Sequence, residues 1–141
     1  MRFVEHDDGL AQKINMSKDH KEWILQAEYD METADIMFDA GRYFYAVFMC
    51  HLAIEKALKG IFLLKLGVIP PKTHNLVYLL SSIGIKPDKE IGIFIIKLNE
   101  ASVVTRYPED LKDLQKDYTK EIVEDIMKRG KESLEWIKTL Q

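Results

Sequence analysis

Three separated groups of residues in this chain are of types that bind or move charge. The first is His51, Glu55 and Lys59, spaced four apart inside an otherwise apolar run. On a helix that spacing places them one turn apart on one face, with Lys56 next to them. Such a stripe is either a solvated edge carrying an ordinary ion pair, or the lining of a polar cleft where another helix or subunit arrives. The second group is His74 with Asn75, directly after Pro70-Pro71. Two prolines stiffen the approach, so the imidazole is expected near the N-terminal amides of a helix, where a phosphate can be received. The alternative is a histidine that caps or packs at the turn. The third is Arg106-Tyr107-Pro108, a guanidinium and a phenol held where proline halts a helix. A guanidinium fixed in this way suits bidentate phosphate recognition, and equally a clamp on helix C-terminal carbonyls. Arg106, Tyr107, His74, Glu55, Lys56 and Lys59 are the candidate ligand-binding residues. Arg106, His74 and His51 are the candidates for acid, base or charge-stabilising work.

Other chemistries find no support. The chain has no glycine-rich phosphate loop, no Cys/His ligand set, no His-Glu-x-x-His pattern and no nucleophile elbow. Glu28, Glu32, Asp35 and Asp39 fall three or four apart and could gather a divalent ion, but acidic residues without a histidine usually mark an exposed helix face. No metal or cofactor is expected. The single cysteine, Cys50, lies between Met49 and His51 in the apolar run and reads as a small buried hydrophobe.

The elements that must position these residues are helical. Asp19 is a capping residue, with Glu22 three positions on able to complete a capping box, and Trp23, Ala27, Ala34 and Phe38 follow at helical spacing as far as Gly41. A second helix runs from about Arg42 to Leu66 and is apolar almost all round in its first half, which makes it the central one. Gly67 ends it, and the proline linker leads to a short helix from His74 to Ile83 with Thr73 as its cap. A further helix starts near Asp88, carrying Ile91, Phe94, Ile95, Leu98 and Ala101 on one face. The last runs from about Thr119 to Leu140 behind an acidic, lysine-rich stretch. No period-2 strand or internal repeat competes. The expected fold is all-α, an antiparallel bundle of four long helices and one short, with an N-terminal arm over residues 1–16 and the domain over 17–141.

With 141 residues, 47% hydrophobic and 30% charged, the chain fits one globular domain that needs no disulfide. Its net charge of −3 removes the global field of a general nucleic-acid binder, so any phosphate contact must be local. No secretory signal opens it, and Glu55, Lys56, Lys59 and Lys65 interrupt the apolar stretches; the expectation is a cytoplasmic protein without a membrane span. The second helix looks too apolar for its thin neighbours to cover, which points to a two-fold homodimer.

Taken in order, these segments resemble the HEPN family. The resemblance extends from about Lys18 to Leu140. It is carried by Ala27-Glu28-Tyr29-Asp30 through Ala34, Gly41-Arg42-Tyr43, Ala53-Ile54-Glu55-Lys56-Ala57-Leu58-Lys59, Pro70-Pro71-Lys72-Thr73-His74-Asn75-Leu76 and Arg106-Tyr107-Pro108. It implies a five-helix bundle, usually dimeric, similar to the helical domain of antibiotic nucleotidyltransferases and often encoded beside a minimal nucleotidyltransferase. Many members are metal-independent ribonucleases, acting as toxins or in RNA defence. In those, four to six residues separate a catalytic Arg from a following His, and the pair acts across the dimer. This sequence departs there. No Arg has a His at that spacing; Arg2 and His6 are one residue too close. The family often has Asp at the position of Asn75, and glutamines at those of His51 and Leu52.

The sequence therefore reads as a dimeric nucleotide- or nucleic-acid-binding module that works with a separate nucleotidyltransferase. The alternative is a metal-independent ribonuclease with a non-standard site built on Arg106 and His74 or His51.

Overall fold

The computed structural model describes residues 18–141. Six helices follow one another: α1 His20–Asp39, α2 Tyr43–Leu66, α3 Leu76–Ile83, α4 Lys89–Arg106, α5 Leu111–Asp117 and α6 Lys120–Lys138. No strand occurs among the described residues. The all-α bundle with four long helices is as expected, but two helices are short, not one. The addition is α5, which falls in the charged stretch before the last helix. It forms because Asp110 accepts a hydrogen bond from the amide of Asp113, and it buries only Leu114. Seven residues with one apolar anchor give periodicity too little to register. The arm over residues 1–16, including Arg2 and His6, lies outside the described residues.

Helix starts follow the capping side chains. Asp19, Asp88 and Thr119 accept from the amides of Glu22, Ile91 and Ile122. Glu22 does not return the bond to complete a box; its Oε2 accepts from Nε2 of Gln26 instead. Gly67 closes α2 with φ 68°, a left-handed value that side chains disfavour.

The start of α3 differs from the sequence expectation. Its cap is Asn75, whose Oδ1 accepts from the amide of Tyr78, while Thr73 Oγ1 accepts from the amide of Asn75. His74 therefore precedes the helix. The amide of Leu76 is also taken, by Oδ1 of Asn99 in α4. With these donors satisfied by side chains, this helix end is not the open anion receptor that the sequence suggested.

Central α2 packs against every other helix. Fourteen of its 24 residues are buried within the single chain. The neighbours do cover it, so its apolarity is no argument for a second copy. They approach closely because small residues line the seams. A Cβ on Gly60 would sit 3.0 Å from Cβ of Trp23, and one on Gly130 would overlap Sγ of Cys50. Cys50 is buried as expected, and burial pushes its thiol pKa up to about 12. α1 runs antiparallel to α6, tied by Asp35–Lys131 and Glu28–Lys138, each at 2.7 Å. Asp30 turns the other way, to Lys56 of α2 at 2.9 Å. The acidic face of α1 is thus divided between two neighbours. Among the described residues no group of three or more His, Cys, Asp or Glu is placed to hold a metal ion. No described helix is long and apolar enough to cross a membrane.

Candidate functional site

The polar stripe of α2 is not a solvated edge. His51 is fully buried, Glu55 is 4% exposed and Lys59 7%. Carboxylates and ammonium groups enter an interior only when paired, and these are. Oε2 of Glu55 accepts from Nζ of Lys59 at 3.0 Å, and Oε1 accepts from Nδ1 of His74 at 2.9 Å. Nδ1 of His51 stands 4.0 Å from that same Oε1, beyond hydrogen-bond reach. Glu55 thus bonds Lys59 of its own helix and His74 of the linker, with His51 close by. The His74 side chain keeps 61% of its surface in solvent, so its Nε2 edge is open. Asn99 helps to hold this arrangement: besides accepting from Leu76, its Nδ2 donates to Oδ1 of Asn75, the residue next to His74.

Arg106 reaches the same region from the last turn of α4. Its guanidinium carbon lies 4.7 Å from the ring centroid of Phe48, one turn before His51 on α2, a stacking geometry that suits arginine. Nη2 of Arg106 is buried without a hydrogen-bond partner among the described residues, as are both ring nitrogens of His51. Burial lowers the His51 pKa to about 4. The charge on Glu55 opposes that shift and the charge on Arg106 adds to it. The His74 carbonyl comes near enough to raise it slightly, without meeting hydrogen-bond geometry. His51 is consequently neutral near pH 7, with one donor and one acceptor nitrogen free.

Of the residues singled out in the sequence, Arg106, His51, His74, Glu55 and Lys59 converge on one face of α2. Lys56 does not join them, because its ammonium is engaged with Asp30 toward α1. Tyr107 follows Arg106 as the C-terminal cap of α4 and is 73% exposed, with no hydrogen bond from its hydroxyl among the described residues. Phe48 and Asn99 were missed. Phe48 reads as one more core aromatic, and nothing periodic links Asn99 to a position 23 residues before it. A polar residue inside the fourth helix was the only available signal.

The arrangement offers a fixed guanidinium for an anion, a neutral buried imidazole beside it, and an exposed imidazole oriented by a carboxylate. The exposed imidazole can exchange a proton.

Comparison with known proteins places the chain in a family. The chain is 29% identical over 129 residues to "Putative toxin MJ1304" of Methanocaldococcus jannaschii, an alignment covering 84% of this chain and 85% of that protein. The crystal structure of ST0689, described as an archaeal HEPN homologue, superposes with a TM-score of 0.70 at 28% identity, covering 88% of this chain and 99% of that one. TT1696 from Thermus thermophilus superposes with a TM-score of 0.71 at 23% identity, over 86% of this chain and 98% of that one, a likeness of fold. The HEPN domain profile matches residues 20–140, nearly the whole described chain, and the protein belongs to the HEPN family.

Proposed function

We propose that this protein is a phosphate-binding HEPN module that presents Arg106 and His74, with the buried His51 behind them, to a nucleotide or nucleic acid and acts with a separate nucleotidyltransferase. The observation that carries the reading is the unmet hydrogen-bonding capacity of Arg106 and His51. A buried donor left without an acceptor costs about 1–3 kcal/mol, and arginine cannot escape by losing its proton. A phosphate oxygen supplies the acceptor and the opposite charge together. The nucleotidyltransferase partner rests on the family resemblance. A two-fold dimer belongs to the proposal and is supported by the exposed apolar residues Val103, Val104 and Leu111 on either side of Arg106-Tyr107. Light scattering that finds only monomer at tens of micromolar would remove it.

The test is calorimetric titration of wild type and Arg106→Lys with a nucleotide panel and short RNA, at low and moderate salt. Lysine keeps the charge and loses the fork, so affinity should drop with little change in Tm, and wild-type binding should weaken as salt rises. Equal affinities, or a lowered Tm with no ligand bound by either protein, would make Arg106 a structural clamp.

One observation favours the ribonuclease as a second reading: a histidine whose Nδ1 is held by a buried carboxylate and whose other nitrogen faces solvent has the form of an acid–base group. The name of the relative, "Putative toxin MJ1304", points the same way. Incubation of purified protein with RNA in chelator decides. No cleavage is expected without the family's Arg and His spacing; cleavage abolished by His74→Ala would reverse the ranking.

A further inference from the structure

A cavity lined by Tyr45 opens one turn of α2 before Phe48, and none of the residues of the Arg106 site lines it. It has a volume of about 430 Å³ and lies where the start of α2 meets α5 and the start of α6. Arg42, Tyr45, Gln115 and Tyr118 are among its lining residues; Tyr43 and Phe44 also border it, but Phe44 is buried and the Tyr43 ring packs edge-on against Phe38. The volume is in the range of small-ligand sites. The lining combines aromatic residues with one guanidinium that forms no ion pair among the described residues and one carboxamide that can both donate and accept. Those groups match a planar heteroaromatic ring with polar edges.

Its position ties it to the phosphate site. Tyr45 lies three residues before Phe48, hence one turn away on the same side of α2, and Phe48 is the ring over which the Arg106 guanidinium sits. Tyr45 is 45% exposed and its ring lies 4.5 Å from that of Phe44. One helical turn is about 5.4 Å, comparable to the length of one nucleotide in a strand.

The cation seated on Phe48 is a single guanidinium; Lys59 lies eleven positions further along α2 and is paired with Glu55. One guanidinium matches the single charge of an internal phosphodiester.

We infer that the Arg42–Tyr45–Gln115–Tyr118 cavity is a nucleobase-binding subsite, occupied by a base of a single-stranded nucleic acid whose backbone phosphate is held at Arg106. The inference rests on the proposed phosphate-binding reading and adds to it both the ligand class and the place of the base. Stacking on aromatic side chains is tolerant of sequence, so several bases should fit.

The experiment measures binding of short single-stranded oligoribonucleotides by fluorescence anisotropy, set against an abasic oligomer of the same length and against ATP. The proteins are wild type, Tyr45→Ala, Tyr45→Phe and Gln115→Ala, with thermal melts to show that each is folded. Tyr45 and Gln115 are exposed, so these variants should keep the fold. Tyr45→Ala is expected to weaken the base-bearing oligomer about tenfold or more while leaving the abasic oligomer unchanged. Tyr45→Phe should bind like wild type, and Gln115→Ala should alter preference among bases. Equal binding of base-bearing and abasic oligomers by wild type would overturn the subsite and leave the phosphate reading intact. So would ATP binding through Arg106 with no strand bound. Failure of every ligand to bind in an Arg106-dependent way would overturn both.

Discussion

Nδ1 of His74 lies 2.9 Å from Oε1 of Glu55, joining a residue of the proline linker to one 19 positions earlier on the central helix. A carboxylate oxygen can only accept, so Nδ1 carries a proton and Nε2 is left at the solvent edge. The stiff linker delivers the ring, and the buried carboxylate sets its tautomer.

Removing that carboxylate should be costly. Glu55→Ala strands the ammonium of Lys59 in an interior position and is expected to lower unfolding free energy by about 3–5 kcal/mol in urea titration. Adding Lys59→Met should restore most of the loss, since the damage comes from the unpaired charge. A double variant no more stable than Glu55→Ala would show that the pair itself does little.

His51 makes stability depend on pH in a definite direction. Its pKa falls from 6.5 to about 4 on folding, so between those values the unfolded chain binds more protons than the native one. Its contribution is fully present above about pH 6.5 and is lost as pH falls toward 4, to a total of about 3 kcal/mol. Urea unfolding at several pH values should show a steeper fall for wild type than for His51→Leu. Parallel curves would mean that His51 titrates as in the unfolded chain. Anion binding at Arg106 should favour the protonated ring and tighten toward the acid side.

At the seam of α2 and α6, Gly130→Ala should destabilise by about 1–3 kcal/mol, because the new methyl group meets Sγ of Cys50. Combined with Cys50→Ala, the effect of the glycine replacement should shrink sharply in a double-mutant cycle of chemical denaturation. Additive losses would place the strain elsewhere. In the wild type the Cys50 thiol should stay inert to an aromatic disulfide reagent at pH 8 until the protein unfolds.

Asn99→Ala is expected to cost about 1–2 kcal/mol through the lost acceptor for Leu76. It should also move the His74 imidazole resonances in NMR, because the Asn75 anchor loosens. An unchanged His74 signal would show that the linker prolines alone fix the ring.

Most of the architecture was legible because its signals are local. Asp19, Asp88 and Thr119 mark helix starts through their own side chains, and the apolar span of α2 declares its centrality whatever surrounds it. The α3 boundary was misplaced because Thr73 and Asn75 are both competent caps, and the choice was settled by Asn99, far along the chain. The site was legible as types and only partly as geometry. The spacing of His51, Glu55 and Lys59 gave the stripe, but its burial depends on neighbours that spacing does not name. Lys56, one position from Glu55, faces α1 instead. The stacking of Arg106 on Phe48 joins positions 58 apart with no repeat between them, and only the packing of α4 on α2 creates it.

The enclosure of α2 has a consequence for the order in which structure is lost. Peripheral helices can fray individually, but the middle of α2, from Cys50 to Ile61, is held by α1, α3, α4 and α6 together. Its amide hydrogens should exchange with solvent only through opening of the entire bundle. His51 and Glu55 sit on that segment. The α2 half of the candidate site is thus carried by the slowest-exchanging part of the molecule, while His74 and Arg106 arrive on elements that can breathe, so a ligand that bridges the halves should slow exchange in the linker and the end of α4 far more than in α2.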